Sequence, residues 1–223
     1  MLNYPCLVMD HDDTAVRSEE TVNFPEFLLT LHRLRPGVEM SRADFTRRCF
    51  SQGYSAMLRE YLSFTDEECA LAFRSWKAYV ISHTPPAYDG IRELLQRQKS
   101  EGGMICVVSH SADANILRDY RTHFGLEPDL IYGWELGEGL RKPNPYPLLD
   151  IMKKTGYAPH QLLMVDDLKP GYDMAKACGV PFACAGWGHY LPEITEYMKN
   201  TCAHYFSTVR ELSDFLFSDT VQP

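Results

Sequence analysis

The sequence predicts an α/β fold with a parallel sheet core, helices on both faces of that sheet, and a helical segment inserted after the first strand. Three observations support this prediction. Short apolar runs alternate with amphipathic segments of helix length, residues 18–84 carry helical patterns alone, and polar residues follow several of the apolar runs. Such folds bind ligands beyond the carboxyl ends of their strands, so these polar residues are candidates for a functional site.

The apolar runs define five candidate strands, each bounded by turn residues. These are residues 6–10, 104–109, 129–133, 161–166 and 181–186. Between them, residues 91–98 place Ile91, Leu94 and Leu95 at helical spacing, and Gly156 and Gly179 are typical of helix ends. Strands that alternate with helices in this way predict a Rossmann-like parallel sheet.

Residues 18–84 form a second region, which the sequence predicts to be all helical. Thr65 and Glu68 have the spacing of a capping box, which marks the start of a helix. We therefore expect one domain to comprise residues 1–17 and 85–223 and an inserted helical domain to comprise 18–84. The insert's aromatic residues are expected to form its own core: Phe24, Phe27, Phe45, Phe50, Tyr54 and Tyr61.

Composition narrows the class of partner. The net charge is −8 and the isoelectric point about 5.5, which argues against nucleic acid or an anionic membrane as the main partner. No apolar run approaches the roughly 20 residues of a membrane span, and the N-terminus lacks the features of a signal peptide. The seven cysteines form no CxxC pair, so we expect reduced thiols in a cytoplasmic protein.

The stretch LVMDHDDTAV gathers several acids directly after the first strand. Asp10 and Asp12 are two residues apart and point to the same side of an extended chain, and Asp166 and Asp167 follow a later strand. At ~4 Å and an effective dielectric of ~20, each like-charged pair costs roughly 4 kcal/mol. A hard divalent cation, Mg²⁺ above all, relieves that repulsion. The alternative is ordinary turn chemistry, because Asp is common in turns.

Four motifs occur in an order that resembles a known family. LVMDHDDTAV resembles motif I of the haloacid dehalogenase-like hydrolase superfamily, and VVSHS (107–111) resembles its motif II. LRKPNPYPL (140–148) resembles the lysine motif, and LMVDDLKPGYDMAKACGV (163–180) resembles the acidic motif of the subgroup with (E/D)DxxxG. In that subgroup the helical insert is a cap domain, which 18–84 matches in position.

The resemblance implies roles for the four acids. Asp10 would be the nucleophile that forms an aspartyl-phosphate, and Asp12 would protonate the leaving oxygen and later activate water. Asp10, the main-chain carbonyl of Asp12 and Asp167 would bind Mg²⁺, and Asp166 would bind the ion directly or through water.

The same resemblance implies roles for Ser109 and Lys142. Ser109 would hydrogen-bond the transferring phosphoryl group, and it could also be the N-cap of a helix beginning near residue 111. Lys142 would neutralise phosphoryl charge and orient Asp10, although a lone lysine before a proline is commonly a solvated loop residue. Phosphoryl transfer depends mainly on positioning and charge neutralisation, which this set supplies.

These roles predict a Mg²⁺-dependent phosphatase that hydrolyses a small phosphorylated metabolite, as a monomer or homodimer, without nucleic acid or membrane partners. The dehalogenases that the sequence resembles lack an acid at the position of Asp12, which argues against dehalogenation. Sugar phosphomutases carry a histidine near the position of Val22, so the mutase alternative is weakened; a pyrophosphatase is a further alternative in the superfamily. An alternative of another class is a non-catalytic module that binds a phosphate ligand.

Other residues near the motifs have simpler expectations. His11 should point away from Asp10 and Asp12, into a core or supporting role. Asp13 stands where many members have glycine, and Asp can adopt the left-handed conformation that such a position requires. Trp187 and His189 follow the last predicted core strand and would line the entrance of the site, with ordinary loop packing as the alternative.

Overall fold

A computed structural model describes residues 2–218 of the 223-residue chain. It contains a six-stranded sheet in which all neighbouring strands are parallel, in the order β3-β2-β1-β4-β5-β6. The strands are β1 (Cys6–Met9), β2 (Met104–Val108), β3 (Leu130–Tyr132), β4 (Leu162–Asp166), β5 (Phe182–Ala185) and β6 (His204–Phe206). The predicted α/β fold with a Rossmann-like parallel sheet is confirmed.

Ten α-helices connect or follow these strands within residues 2–218. They are α1 (Phe24–Leu34), α2 (Arg42–Gln52), α3 (Tyr54–Ala56), α4 (Asp66–Ser82), α5 (Ile91–Ser100), α6 (Asp113–Asp119), α7 (Tyr146–Thr155), α8 (Lys169–Ala177), α9 (Pro192–Thr201) and α10 (Val209–Phe217). Three π-helical segments, Glu19–Asn23, Met57–Tyr61 and Tyr120–Phe124, adjoin α1, α3 and α6. In this part of the chain no helix is both long enough and apolar enough to cross a bilayer.

The sheet is covered on both faces because its central strands are apolar on both faces. Leu7 and Met9 of β1 pack with apolar residues of α5, α6 and α10 on one face. On the alternate positions, Cys6 and Val8 are equally buried, and α8 packs against β4 and β5. This burial of every residue of β1 is typical of parallel strands between two helical layers.

The strand order places β1 at the centre of the sheet, between β2 and β4. The chain runs outward from β1 in one direction through β2 and β3 and in the other through β4, β5 and β6, so the topology switches direction beside β1. Open α/β sheets bind ligands outside the carboxyl ends of the strands at such a switch point. Asp10 directly follows β1 and Asp166 ends β4, so both acids lie at this edge.

The chain divides into two compact units: Arg17–Pro86 forms one, and the described residues before and after it form the other. The inserted unit is helical, with no strand among its residues, and it begins one residue earlier and ends two residues later than the 18–84 segment expected from sequence. Phe27 and Phe45 lie in its buried core.

Two expectations for the inserted unit concern individual side chains. The capping box is confirmed: Glu68 N donates to Thr65 Oγ1, and Thr65 N donates to the Glu68 carboxylate. The prediction that Tyr61 belongs to the core was wrong, because its side chain is 51% exposed and its ring stacks under the guanidinium of Arg48. An aromatic residue on a helix can cover a charged neighbour as readily as it enters a core.

Candidate active site

Lys142 joins two acids that are far apart in the sequence. Its Nζ lies 2.5 Å from Asp10 Oδ1 and 2.5 Å from Asp166 Oδ2, and all three side chains are buried. Burial opposes the charge of the lysine, but the two carboxylates outweigh it and raise the pKa of Lys142 above its usual value. The ammonium group is therefore a fixed positive charge between the ends of β1 and β4.

Asp167 completes a group of three acids. Carboxylate oxygens of Asp10, Asp166 and Asp167 lie within 4.8 Å of one another, and all three residues are buried. Burial raises the pKa of Asp166 to about 7, and burial together with the neighbouring carboxylates raises that of Asp167 well above its usual value. Three carboxylates beside one ammonium carry two excess negative charges when ionised, and this all-oxygen donor set fits a hard divalent cation.

The position of Lys142 is fixed from the neighbouring loop. His110 Nε2 donates to the main-chain carbonyl of Lys142 at 2.9 Å, linking the end of β2 to the lysine motif. The backbone N–H of Asn144 donates to the carbonyl of Arg141, which tightens the turn around the lysine. A single histidine in a loop gives no sequence signal for this contact, so it was not expected.

Ser109 follows β2 and is buried at the same edge of the sheet. Its backbone N–H donates to the carbonyl of Tyr132, and its Oγ accepts from the N–H of Ser111 at 3.2 Å. The helix α6 begins at Asp113 with Ala112 as its N-cap, so the interpretation of Ser109 as a helix N-cap was wrong. The start of α6 lies four residues beyond the hydroxyl, because a short turn intervenes.

Asp12 lies in a tight turn that follows Asp10. The N–H of Asp13 donates to the carbonyl of Val16, and Asp13 has φ +56°, the left-handed conformation that the sequence predicted it could adopt. The Asp12 side chain is half-buried and lies outside the group of three acids found in residues 2–218. This placement leaves its carboxylate available for a role other than joining that acid group.

A close contact explains why the last position of the (E/D)DxxxG motif, Gly171, is a glycine. A Cβ added at this position in α8 would lie 2.2 Å from Asp166 Oδ2, the oxygen that accepts from Lys142. The backbone of α8 therefore approaches the acid as closely as only a glycine permits. The motif spacing could indicate a glycine here, but the contact with Asp166 is visible in the structure alone.

We expect Gly171→Ala to impair the site although alanine normally favours a helix by about 1 kcal/mol. The added methyl group forces Asp166 away from Lys142, and a displacement of about 1 Å at a reacting centre can lower turnover about 100-fold. Steady-state kinetics and thermal unfolding measure the two effects. The control is Gly139→Ala, where the new Cβ meets nothing within 4 Å; equal activity of the two variants would contradict the steric argument.

The loop 186–189 forms hydrogen bonds to the loop that follows β1 and to the loop that follows β4, which we call the two acidic loops. Trp187 Nε1 donates to the carbonyl of Thr14 at 3.0 Å, and His189 Nε2 donates to the carbonyl of Asp167 at 2.6 Å. Gly188 allows this approach, because a Cβ there would lie 2.4 Å from the carbonyl oxygen of Asp13. The sequence left entrance lining and loop packing open for Trp187 and His189, and in the structure both side chains hydrogen-bond main-chain atoms of the two acidic loops.

We expect Trp187→Phe to lower turnover about tenfold, because supporting contacts of this kind are typically worth 10- to 100-fold. Phenylalanine keeps the ring but removes the N–H that holds the carbonyl of Thr14. The matched control is Trp76→Phe, which removes an indole bond to Asn23 Oδ1 in the inserted unit. Measured kcat values that fall equally in both variants would show a general effect of losing an indole rather than support of the acidic loop.

Comparison with known proteins identifies the family. Residues 7–185 match the family model of the haloacid dehalogenase-like hydrolases, and the chain belongs to this family. It is thus an enzyme of the hydrolase class. Among curated relatives, the phosphoglycolate phosphatase of Mesorhizobium japonicum is 22% identical over 223 residues, covering 93% of this chain and 94% of the relative.

Solved structures share the fold. A Bacteroides fragilis protein described as a haloacid dehalogenase-like hydrolase superposes with a TM-score of 0.78 at 20% identity, covering 94% of this chain and 99% of its own. CbbY from Rhodobacter sphaeroides, determined in complex with phosphate, superposes with a TM-score of 0.73 at 17% identity, covering 95% and 96%. At these identities the likeness establishes the fold.

Proposed function

We propose that this hydrolase is a Mg²⁺-dependent phosphatase that acts on a small phosphorylated metabolite through an aspartyl-phosphate on Asp10. The observation that carries the proposal is the ammonium group of Lys142, which lies 2.5 Å from both Asp10 and Asp166 at the switch point of the sheet. A nucleophilic carboxylate needs a neighbouring positive charge before it can approach an anionic phosphoryl group.

In the proposed reaction, Asp10 attacks phosphorus and Asp12 donates a proton to the leaving oxygen. Asp12 then removes a proton from the water that attacks the aspartyl-phosphate, which releases inorganic phosphate and restores Asp10. Ser109 and Lys142 bind the equatorial phosphoryl oxygens during both steps. Asp12 lies outside the group of three acids, consistent with a role in proton transfer.

Magnesium fits the group formed by Asp10, Asp166 and Asp167, with the main-chain carbonyl of Asp12 as a further oxygen ligand. When bound, the ion supplies positive charge that offsets the two excess negative charges of the acids and the charge of the phosphoryl group. Asp166 also accepts from Lys142, so this residue orients the ammonium group whether it binds the ion directly or through water.

We expect Mg²⁺ to stabilise the folded protein, because the three acids are brought together only in the folded chain. At 100 times its dissociation constant, an ion that binds the native state alone adds about 2.7 kcal/mol to the free energy of unfolding. Thermal unfolding with increasing MgCl₂ measures this shift. Asp167→Asn should reduce it, whereas Asp173→Asn on the exposed side of α8 should keep it; no shift in the wild type would argue against the ion.

The test of the activity is phosphate release from an aryl phosphate and from a panel of phosphorylated metabolites, with and without Mg²⁺. Phosphoglycolate belongs in the panel because a curated relative is named for it. The phosphatase proposal requires Mg²⁺-dependent turnover of at least one compound. Absence of turnover across the panel, together with normal biological function of an Asp10→Asn variant, would favour a phosphate-binding module instead.

A phosphomutase is the second candidate within the family, and one residue disfavours it. Val22 stands where the resemblance places the mutase histidine, and valine cannot transfer a proton. Incubation with a sugar phosphate distinguishes the two reactions, because a mutase yields an isomeric sugar phosphate while a phosphatase yields free phosphate.

A further inference from the structure

His11 lies between the proposed nucleophile and the proposed acid–base residue, yet its ring points elsewhere. The side chain is 1% exposed, and its Nε2 lies 3.1 Å from Asp119 Oδ2, a residue that is also 1% exposed. This pair joins the loop after β1 to the end of α6, which is distant in the sequence. The proposed reaction assigns no role to His11, so it does not explain why this polar side chain is buried.

The partner of His11 is held by a second contact. Asp119 Oδ1 accepts from Arg118 Nε at 2.7 Å, so each oxygen of the carboxylate has its own donor. Asp119 ends α6, and the π-helical turn Tyr120–Phe124 follows at once. Such turns insert an extra residue into a helix and commonly redirect side chains at functional sites.

The geometry also assigns the proton on His11. The carboxylate of Asp119 accepts hydrogen bonds, so Nε2 carries the proton that it donates. Nδ1 is buried and has no hydrogen-bond partner in the described part of the chain, so the bond from Nε2 to the carboxylate of Asp119 is the side-chain hydrogen bond that holds the ring.

The main chain of His11 holds the catalytic turn. Its carbonyl accepts from the N–H of Ala15 at 2.9 Å and from that of Val16 at 3.1 Å, and the N–H of Asp10 donates to the carbonyl of Val165 on β4. The hydrogen bond that holds the His11 ring therefore also holds the main chain of His11. The carbonyl of this residue closes the turn that contains Asp12. A shift of this residue would move Asp10 and Asp12 together.

We propose that His11 and Asp119 are positioning residues, whose buried hydrogen bond sets the placement of the loop that carries Asp10 and Asp12. This inference rests on the proposed function for its kinetic readout. In this proposal the pair acts through the main chain of the loop and takes no direct part in phosphoryl transfer. Supporting bonds of this kind typically contribute 10- to 100-fold to activity or metal affinity.

The test compares two replacements of the pair. His11→Gln keeps an N–H donor near the position of Nε2, and we expect kcat within about threefold of the wild type. His11→Leu/Asp119→Ala removes the bond without leaving a buried charge unpaired. For this double variant, at saturating Mg²⁺, we expect kcat to fall 10- to 100-fold with KM nearly unchanged, and the affinity for Mg²⁺ to fall by a similar factor.

A purely structural pair would give another result: the folded double variant would lose thermal stability but keep the wild-type kcat and Mg²⁺ affinity, which overturns the proposal. If the double variant does not fold, Asp119→Leu decides, because it keeps roughly the size of the acid but removes the acceptor of the hydrogen bond from His11; unchanged kcat overturns the proposal and a tenfold loss supports it. If the wild type hydrolyses no phosphoester, the proposed function fails, and the Mg²⁺ affinity from thermal unfolding alone decides the role of the pair.

Discussion

Asp10→Asn is expected to lower phosphatase turnover on the order of 10⁴- to 10⁶-fold, the loss typical of removing a catalytic nucleophile. The amide oxygen of asparagine is a poor nucleophile toward phosphorus, so no aspartyl-phosphate forms. The fold should survive, because the change removes one of three crowded negative charges beside Lys142. We therefore expect an unfolding temperature at or above that of the wild type in the absence of Mg²⁺.

Asp13→Asn is the matched control for this substitution. It makes the same chemical change in the same turn, at a position with φ +56° that asparagine also tolerates. Single-turnover phosphate release and acid-quench detection of phosphorylated protein separate the two variants. A phosphorylated Asp10→Asn protein, or equal losses in both variants, would contradict the assignment of Asp10 as the nucleophile.

Lys142→Met is expected to reduce both the free energy of unfolding and turnover. Its effect on the free energy of unfolding should be larger than that of Asp10→Asn. Methionine keeps the length of the side chain but leaves the buried carboxylates of Asp10 and Asp166 without their ammonium partner. Removing one member of a buried ion pair typically costs about 3–5 kcal/mol. Urea unfolding without Mg²⁺ measures this loss.

The control for Lys142→Met is the same change at an exposed ion pair. Lys154 Nζ lies 2.7 Å from Asp150 Oδ2, but its side chain is 52% exposed, so Lys154→Met should cost less than about 1 kcal/mol. Mg²⁺ should restore part of the stability of Lys142→Met, because the ion also neutralises the acids, but turnover should stay low. Full recovery of turnover with Mg²⁺ would show that the ammonium group has no role in phosphoryl transfer.

The sequence was sufficient to predict five of the six strands of the described sheet and the acids at the carboxyl ends of β1 and β4. Strand β1 is a continuous apolar run followed by Asp10, and β4 is an apolar run that ends in Asp166, so the position of these acids indicated where they meet. The edge strand β6 was missed, because His204–Phe206 is a three-residue, half-buried segment without an aliphatic run. Its pairing with β5 depends on tertiary packing rather than on local pattern.

The contacts that support the candidate site were less predictable. The bonds from His11 to Asp119 and from His110 to the carbonyl of Lys142 join residues with no fixed spacing in the sequence. Their partners are decided by how helices and loops pack on the sheet. Likewise, Trp187 could be placed near the site from its position after β5, but its bond to the carbonyl of Thr14 requires the full three-dimensional arrangement.

The central place of β1 has a consequence for how the protein matures. Cys6 pairs with Met104 on one side and with Leu162 on the other, so β1 is synthesised before both of its neighbours and has no strand partner from this sheet while the helical insert is made. Pairings of such long sequence separation slow folding and leave an apolar strand open to aggregation. A nascent chain truncated before β4 would carry Asp10, the proposed nucleophile, beside an unpaired strand edge, and we expect such a product to be a chaperone client rather than a partly active enzyme.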